Sequence, residues 1–430
     1  MEKVPKGSIT DVAGFSAAGV HCGLKPGDAL DLAMLVSERP CRAAAVFTTN
    51  RVKAAPVLYD QALLARNPSA ICAVVVNSGN ANAVTGDQGL ADARRMAELT
   101  AETAGCEPGQ VWVMSTGVIG QPLDMAKISA GITRAASALS LDGGHDAARA
   151  IMTTDTVPKE AAVRVRLGGS DVVVAGMAKG AGMIHPNLAT MLAVLATDAA
   201  APPDLLDQVL RYAVDRSFNC ITVDGDTSTN DTVLLLANGA SGVRIDDIDS
   251  EDFGAFRDAV TAVATTMAQK VVRDGEGATK FITIHVRGAP SADEAKQVAM
   301  AVAHSPLVKT ALHGEDANWG RVLAAVGYSD VEVDPGRIGL WFAVGGGELG
   351  GTLRPNSGQA RGNLGELGGR SLQLVRGGRP HQVDEVVAAE ILAGEDIDIL
   401  IDLGIGDDEA TVWTCDLSAE YVRINAHYRT

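Results

Sequence analysis

Residues 179–192 read KGAGMIHPNLATML, and at Ala189 and Thr190 this lysine-led, turn-forming stretch gives way to the apolar run MLAVLAT (191–197). An unbroken apolar run bounded by glycine and proline predicts a buried strand. Upstream, SDVVVAGMAKG (170–180) predicts another, with Gly180, Gly182 and Pro186 shaping the loop between them. On pattern alone, Thr190 is where a loop meets a strand. A second reading is a chain that cuts itself there. A threonine hydroxyl is a poor nucleophile without a base. Cleavage before Thr190 would free an α-amine in the same residue, whose pKa of about 7.7–8 suits proton transfer near neutrality. Ala189 would place a small residue at the scissile carbonyl.

Working outward, short β-rich runs alternate with helical ones. Strands are predicted around 44–50 and at 71–79, 111–120, 232–239 and 279–288, and helices at 89–105, 204–218 and 253–275. In the last helix Phe256, Val260, Val263 and Met267 recur at spacings of three or four and make one apolar face. The pattern is that of a mixed α/β or α+β protein. VRGAPSADE (286–294) breaks it and predicts a domain boundary near 287/288. Beyond it, DEAKQVAMAVAHS and VDEVVAAEILAGE predict helices, and DILIDLG, ATVWTCDL and YVRINA predict strands. The glycine-loaded segment 344–380 predicts a flexible surface insertion.

Composition narrows the function. A formal charge of −17 with no basic patch argues against nucleic acid. Hydrophobic residues at 47% and charged residues at 21% are ordinary for a globular protein, and no window approaches 18 consecutive apolar residues, so no membrane partner is expected. Six scattered cysteines without a C-x-x-C pair, and a start lacking a signal-peptide core, predict a cytoplasmic protein with reduced thiols.

Several signatures fail when tested. GGGELG (345–350) fits G-x-G-x-x-G, but GTLRPNSG cannot supply the helix a dinucleotide site needs. The acidic run from Asp224 has Thr229 and Leu235 where a calcium loop needs glycine and glutamate. The eight histidines show no metal-ligand spacing. Polar strand ends remain. Asn77, Asn80 and Asn82 fit either ligand binding or turn closure. In VMSTGVIG (113–120) a glycine after Thr116 would let a backbone N–H face outward, as an oxyanion hole requires, though ordinary strand-ending turns look the same.

Many blocks in one order resemble the ornithine acetyltransferase family, the glutamate N-acetyltransferases of arginine biosynthesis. They are GLKPGDALDLAMLVSERPCRAAAVFTTNRVKAAPV (23–57), VVVNSGNANAVTG, STGVIG, AIMTTDTVPK (150–159), KGAGMIHPNLATML, DGDTSTNDTV, VRDGEGATKFI (272–282), SPLVKTALHGEDANWGR (305–321) and the terminal YVRINAHYRT. The resemblance covers nearly the whole chain. It implies an αββα-type sandwich over residues 1–287 and a smaller α/β C-terminal domain over 288–430. It also implies self-cleavage between Ala189 and Thr190 into an α chain (1–189) and a β chain (190–430).

The implied chemistry is a ping-pong transfer that needs no cofactor. Thr190 takes acetyl from N²-acetyl-L-ornithine and passes it to L-glutamate, and some family members also use acetyl-CoA. Thr116 and Gly117 resemble the oxyanion hole. Thr156, Lys179, Glu276, Asn425 and Thr430 resemble substrate-binding positions, with Lys179 suited to an α-carboxylate and Glu276 to an ammonium. The chains would pair as a heterodimer and further as a heterotetramer. Two rivals are a self-cleaving aminopeptidase or amidase and an uncleaved binding protein that has lost catalysis. Segment 344–380 looks longer than its family counterpart.

Overall fold

The computed structural model describes residues 1–185, 191–345, 371–381 and 384–426. It divides into two compact units, one made of Met1–Asn219 with Asp226–Asp274, the other of Cys220–Gly225 with the chain from Gly275 onward.

In the first unit the elements run β1 (Glu2–Lys3), β2 (Phe15–Val20), β3 (Leu32–Phe47), α1 (Ala55–Arg66), β4 (Ile71–Asn80), α2 (Gly86–Ala104), β5 (Val111–Val118), α3 (Met125–Ala138) and α4 (Gly144–Ala150). They continue with β6 (Lys159–Leu167), β7 (Ser170–Lys179), β8 (Leu192–Thr197), α5 (Pro203–Asp215), β9 (Thr232–Ala237) and α6 (Glu251–Arg273). The strand order is β1-β6-β7-β8-β9-β3-β4-β5, with β2 also on β3.

β3 belongs to two sheets at once. Its first half, Leu32–Val36, pairs with β2 and β4. Its second half, Arg42–Phe47, pairs with β9. The exposed Glu38-Arg39-Pro40 between them breaks the register, since proline cannot donate to a ladder. The two sheets stack face to face. Val173, Ala175 and Met177 of β7, Leu192 and Val194 of β8, and Leu234 and Leu236 of β9 share one core with Trp112 and Met114 of β5. Phe47 of the first sheet stacks on Trp112 of the second, ring centroids 5.9 Å apart. Alternate residues face the other way. Gly176 meets Met267 of α6, where a Cβ would lie 2.8 Å from the Met267 methyl carbon. Helices α5 and α6 cover the first sheet, and α1, α2 and α3 cover the second. The architecture is an αββα sandwich, as the resemblance implied.

Both faces of β8 and β9 are buried, which is why these strands read as unbroken apolar runs. α6 starts where the Ser250 hydroxyl accepts the Phe253 N–H, and it buries Phe256, Val260, Val263 and Met267 as the spacing predicted.

The second unit contains β10 (Phe281–Ala289), α7 (Ala292–His304), α8 (Pro306–His313), α9 (Trp319–Gly327), β11 (Gly339–Val344), β12 (Ser371–Arg376) and β13 (Arg379–Pro380). It ends with α10 (Glu385–Leu392), β14 (Asp396–Asp402), β15 (Asp408–Cys415) and α11 (Ala419–Ala426). Its sheet runs β13-β12-β11-β14-β10-β15. One face, with Ile282, Ile284 and Val286 of β10 and Ile397, Ile399 and Ile401 of β14, packs on Val298 and Val302 of α7.

Three expectations change here. The boundary at 287/288 falls inside β10, a strand hydrogen-bonded on both sides within the second sheet, and this unit takes up the chain from Gly275. YVRINA forms part of helix α11, because the Ser418 hydroxyl accepts the N–H groups of Glu420 and Tyr421 and starts a turn despite a period-two pattern. Residues 371–380 are strands β12 and β13, with Leu374 and Val375 fully buried in the core, so this part of 344–380 is no flexible insertion. Residues 346–370 lie outside the described residues. Among the described residues no helix is long and apolar enough to cross a membrane.

Candidate active site

Thr116 and Lys179 stand at neighbouring ends of the stacked sheets. Thr116 shares the inner face of β5 with Trp112 and Met114, and Lys179 shares that of β7 with Ala175 and Met177. The Lys179 ammonium, 2% exposed, donates to the Thr116 hydroxyl at 3.2 Å and to the Thr153 hydroxyl at 2.7 Å. A hydroxyl that accepts from an ammonium keeps its own proton free to donate elsewhere, and is polarised for it.

Gly117 follows in the αL-side region at φ +133°, paired in parallel register with Gly79. A Cβ at Gly117 would lie 2.3 Å from the Gly79 carbonyl carbon, so the close approach of β4 and β5 requires glycine here. The asparagines along this edge close turns. The Asn77 amide donates to the Asn80 carbonyl at 2.8 Å, the Asn80 side-chain oxygen accepts the Asn82 N–H at 2.8 Å, and the Asn82 amide donates to the Gly89 carbonyl at 2.9 Å.

Behind Lys179 lies a buried charge cluster. Asp155 accepts from Lys159 at 2.5 Å, from the Gly180 N–H at 2.7 Å and from the Thr153 N–H at 2.9 Å. Lys159 also donates to Asp274, as do the Thr156 hydroxyl and, at 2.9 Å, the Thr156 N–H. Burial alone would raise the Asp155 carboxyl, but Lys179 and Lys159 beside it hold it at about 2. Asp274 caps the C-terminus of α6, where the helix dipole disfavours an anion, and Lys159 supplies the compensation. Thr156 is thus tied to Asp274 through both its hydroxyl and its N–H.

β8 emerges beside this cluster. Leu192 pairs in register with Lys179, the Met191 N–H donates to the buried Asp231 carboxylate oxygen at 2.7 Å, and the Met191 carbonyl accepts the Thr232 N–H at 3.1 Å. Ala189, Thr190 and Thr430 lie outside the described residues. In the second unit Glu276 and Asn425 come together, the Asn425 amide donating to the Glu276 carboxylate at 2.7 Å.

The structure therefore brings Thr116, Gly117, Thr156 and Lys179 together in the first unit and Glu276 with Asn425 in the second. Sequence reasoning missed Thr153, Asp155, Lys159, Asp231 and Asp274. Asp155 and Lys159 stand inside the block AIMTTDTVPK at i, i+4 spacing, a signal that was available; Asp274 is 115 residues from Lys159, and nothing local links them.

Comparison with known proteins places the chain in a family. The ArgJ family matches residues 16–430. The arginine biosynthesis bifunctional protein ArgJ of Symbiobacterium thermophilum is 50% identical over 426 residues, covering 99% of each chain. The mitochondrial protein of the same description from Heterostelium pallidum is 48% identical, covering 97% of this chain and 94% of its own. A solved structure of ornithine acetyltransferase from Mycobacterium tuberculosis, complexed with ornithine, is 44% identical over 43% of this chain and 97% of that one, with a TM-score of 0.40. With a family match from residue 16 to residue 430 and half of all positions identical to a full-length relative, the chain belongs to the ArgJ family, bifunctional acyltransferases of arginine biosynthesis.

Proposed function

We propose that the chain cleaves itself between Ala189 and Thr190 and then carries acetyl from N²-acetyl-L-ornithine to L-glutamate on the Thr190 hydroxyl. The observation that carries this reading is the pairing of Thr116 with a buried Lys179 next to Gly117, at the end of the sandwich where β8 begins. The Thr116 hydroxyl, its oxygen already accepting from Lys179, donates to the tetrahedral oxyanion together with the Gly117 N–H. The freed Thr190 α-amine takes the hydroxyl proton and returns it to the departing amine of ornithine, leaving an acetyl ester. Glutamate then attacks that ester through its amine, so the acetyl group moves without net hydrolysis.

Thr156, Lys179, Glu276, Asn425 and Thr430 complete the substrate-binding set in this reading. The α chain (1–189) and β chain (190–430) stay together as a heterodimer and pair into a heterotetramer. The relatives are described as bifunctional, and in this reading the second activity is acetylation of glutamate from acetyl-CoA. The compartment in this reading is the cytoplasm.

Intact-mass analysis and acetyl transfer from N²-acetylornithine to glutamate test it together. Purified protein is expected as two chains meeting at 189/190 and active in transfer. Thr190→Ala is expected as one full-length, inactive chain; turnover retained by that variant would overturn the assignment.

A further inference from the structure

The carboxylate shared by both substrates needs a cation, and Lys179 is already engaged. Its ammonium is buried and donates to two hydroxyls. A second lysine stands on the loop 22–31, which packs against the same strand ends. The Lys25 Cγ lies 3.3 Å from where a Gly79 Cβ would be, and Gly79 is the residue pressed against Gly117. The Lys25 side chain is half-buried.

The loop carrying it is built around one carboxylate. Asp31, fully buried, accepts the backbone N–H groups of Cys22 at 2.5 Å, Gly23 at 3.0 Å, Leu24 at 2.8 Å and Lys25 at 3.0 Å. Burial would raise this carboxyl; the converging N–H groups of Cys22 and Lys25 bring it below the usual range. Asp31 therefore spends its oxygens on fixing the loop. The Lys25 ammonium donates to the Leu30 carbonyl at 2.8 Å, its hydrogen bond among the described residues, although it carries three donors. Burial pulls Lys25 down to about 8 against the pull of Asp31, and the charge of Lys179 pulls in the same direction as burial. Asp31 and Asp155 answer part of this charge, and the Lys25 ammonium stands half-buried beside the strand ends that carry Thr116 and Gly117 with two donors left for an incoming carboxylate.

We infer that Lys25 is a substrate-binding residue whose ammonium receives the α-carboxylate common to N²-acetylornithine and glutamate. Lys179 is left to polarise the Thr116 hydroxyl. This rests on the acetyl-transfer reading above.

The test compares N²-acetylornithine with its α-methyl ester as acetyl donors, glutamate being the acceptor, in the wild type, Lys25→Met and Lys25→Arg. The wild type is expected to prefer the acid. Lys25→Met is expected to lose about ten- to hundred-fold in kcat/KM on the acid, the scale of a charge-assisted hydrogen bond, through KM, with little change on the ester. Lys25→Arg is expected to keep part of the preference. Cleavage into two chains reports that each variant folds; should Lys25→Met fail to cleave, Lys25→Gln takes its place. Equal losses on acid and ester, or an unchanged KM for the acid, overturn the assignment of Lys25. A wild type that transfers no acetyl overturns the underlying reading instead.

Discussion

Buried ionisable groups are handled in opposite ways in the two units. In the first, Asp155 and Asp274 are buried with Lys159 between them, and Asp155 stays ionised with its carboxyl at about 2. In the second, His285 of β10 and Asp398 of β14, the register partner of Thr283, are buried, with no opposite charge paired to either among the described residues. There burial pulls His285 down to about 4 and pushes Asp398 up to about 6. Compensated charge stays charged, and uncompensated groups go neutral. The first arrangement holds fixed charge next to the candidate site; the second makes stability depend on pH.

The comparison breaks most severely at Lys159. Lys159→Met takes the lysine from buried Asp274 and leaves Asp155 with Lys179 alone, and the expected loss is about 3–5 kcal/mol of stability. Urea denaturation in a Thr190→Ala background, which stays one chain in this reading, measures it. Adding Asp274→Asn to Lys159→Met is expected to recover part of the loss. A Lys159→Met cost near zero would mean that the cluster is not held by charge.

How much of this was legible depends on whether the information is local. β7, β8 and β9 are legible because central strands buried on both faces must be apolar throughout. Thr116, Gly117 and Lys179 are legible as polar ends of such strands, matched to family blocks. The Lys159–Asp274 pair is not, because the sandwich, and not sequence spacing, brings the end of α6 to the start of β6. α11 was misread because Tyr421, Arg423 and Asn425 alternate with Val422 and Ile424 as a strand would, while the decisive Ser418 cap lies outside that pattern. β12 was hidden by the glycines preceding it, although SLQLVR carries its buried Leu374 and Val375.

On the uncompensated side, His285 is the sharper probe. It is 3% exposed; its Nδ1 lies 2.9 Å from the Thr411 hydroxyl, and its Nε2 has no partner among the described residues. Its folded pKa of about 4 is below the ordinary value, so between about pH 6.5 and 4 the unfolded chain binds more protons. Stability therefore rises with pH across that window and falls as the pH drops. His285→Phe is expected to remove the slope, gaining about 2 kcal/mol relative to wild type at pH 4.5 and changing little at pH 7.5. Hydrogen exchange of β10 peptides at both values measures it. A parallel offset at both pH values would mean that packing, not protonation, sets the effect.

Asp398 titrates with the opposite sign, and its expected effect is smaller. Burial raises its carboxyl to about 6 and Asp396 adds to the rise, while the Thr283 hydroxyl partly offsets both. The folded chain then binds more protons between about pH 4 and 6, so stability falls as pH rises through that range, and the full cost is present above it. Asp398→Asn keeps the shape and never ionises. It is expected to stabilise β14 by about 1–2 kcal/mol at pH 7.5, less than the full shift because the Thr283 hydrogen bond weakens with the charge. At pH 3.5, where the wild-type carboxyl is already neutral, the gain should vanish. A gain that persists at pH 3.5 would mean that packing, not ionisation, sets the effect; a loss at pH 7.5 would show that a cation compensates Asp398 after all, and the contrast with Asp155 would fail.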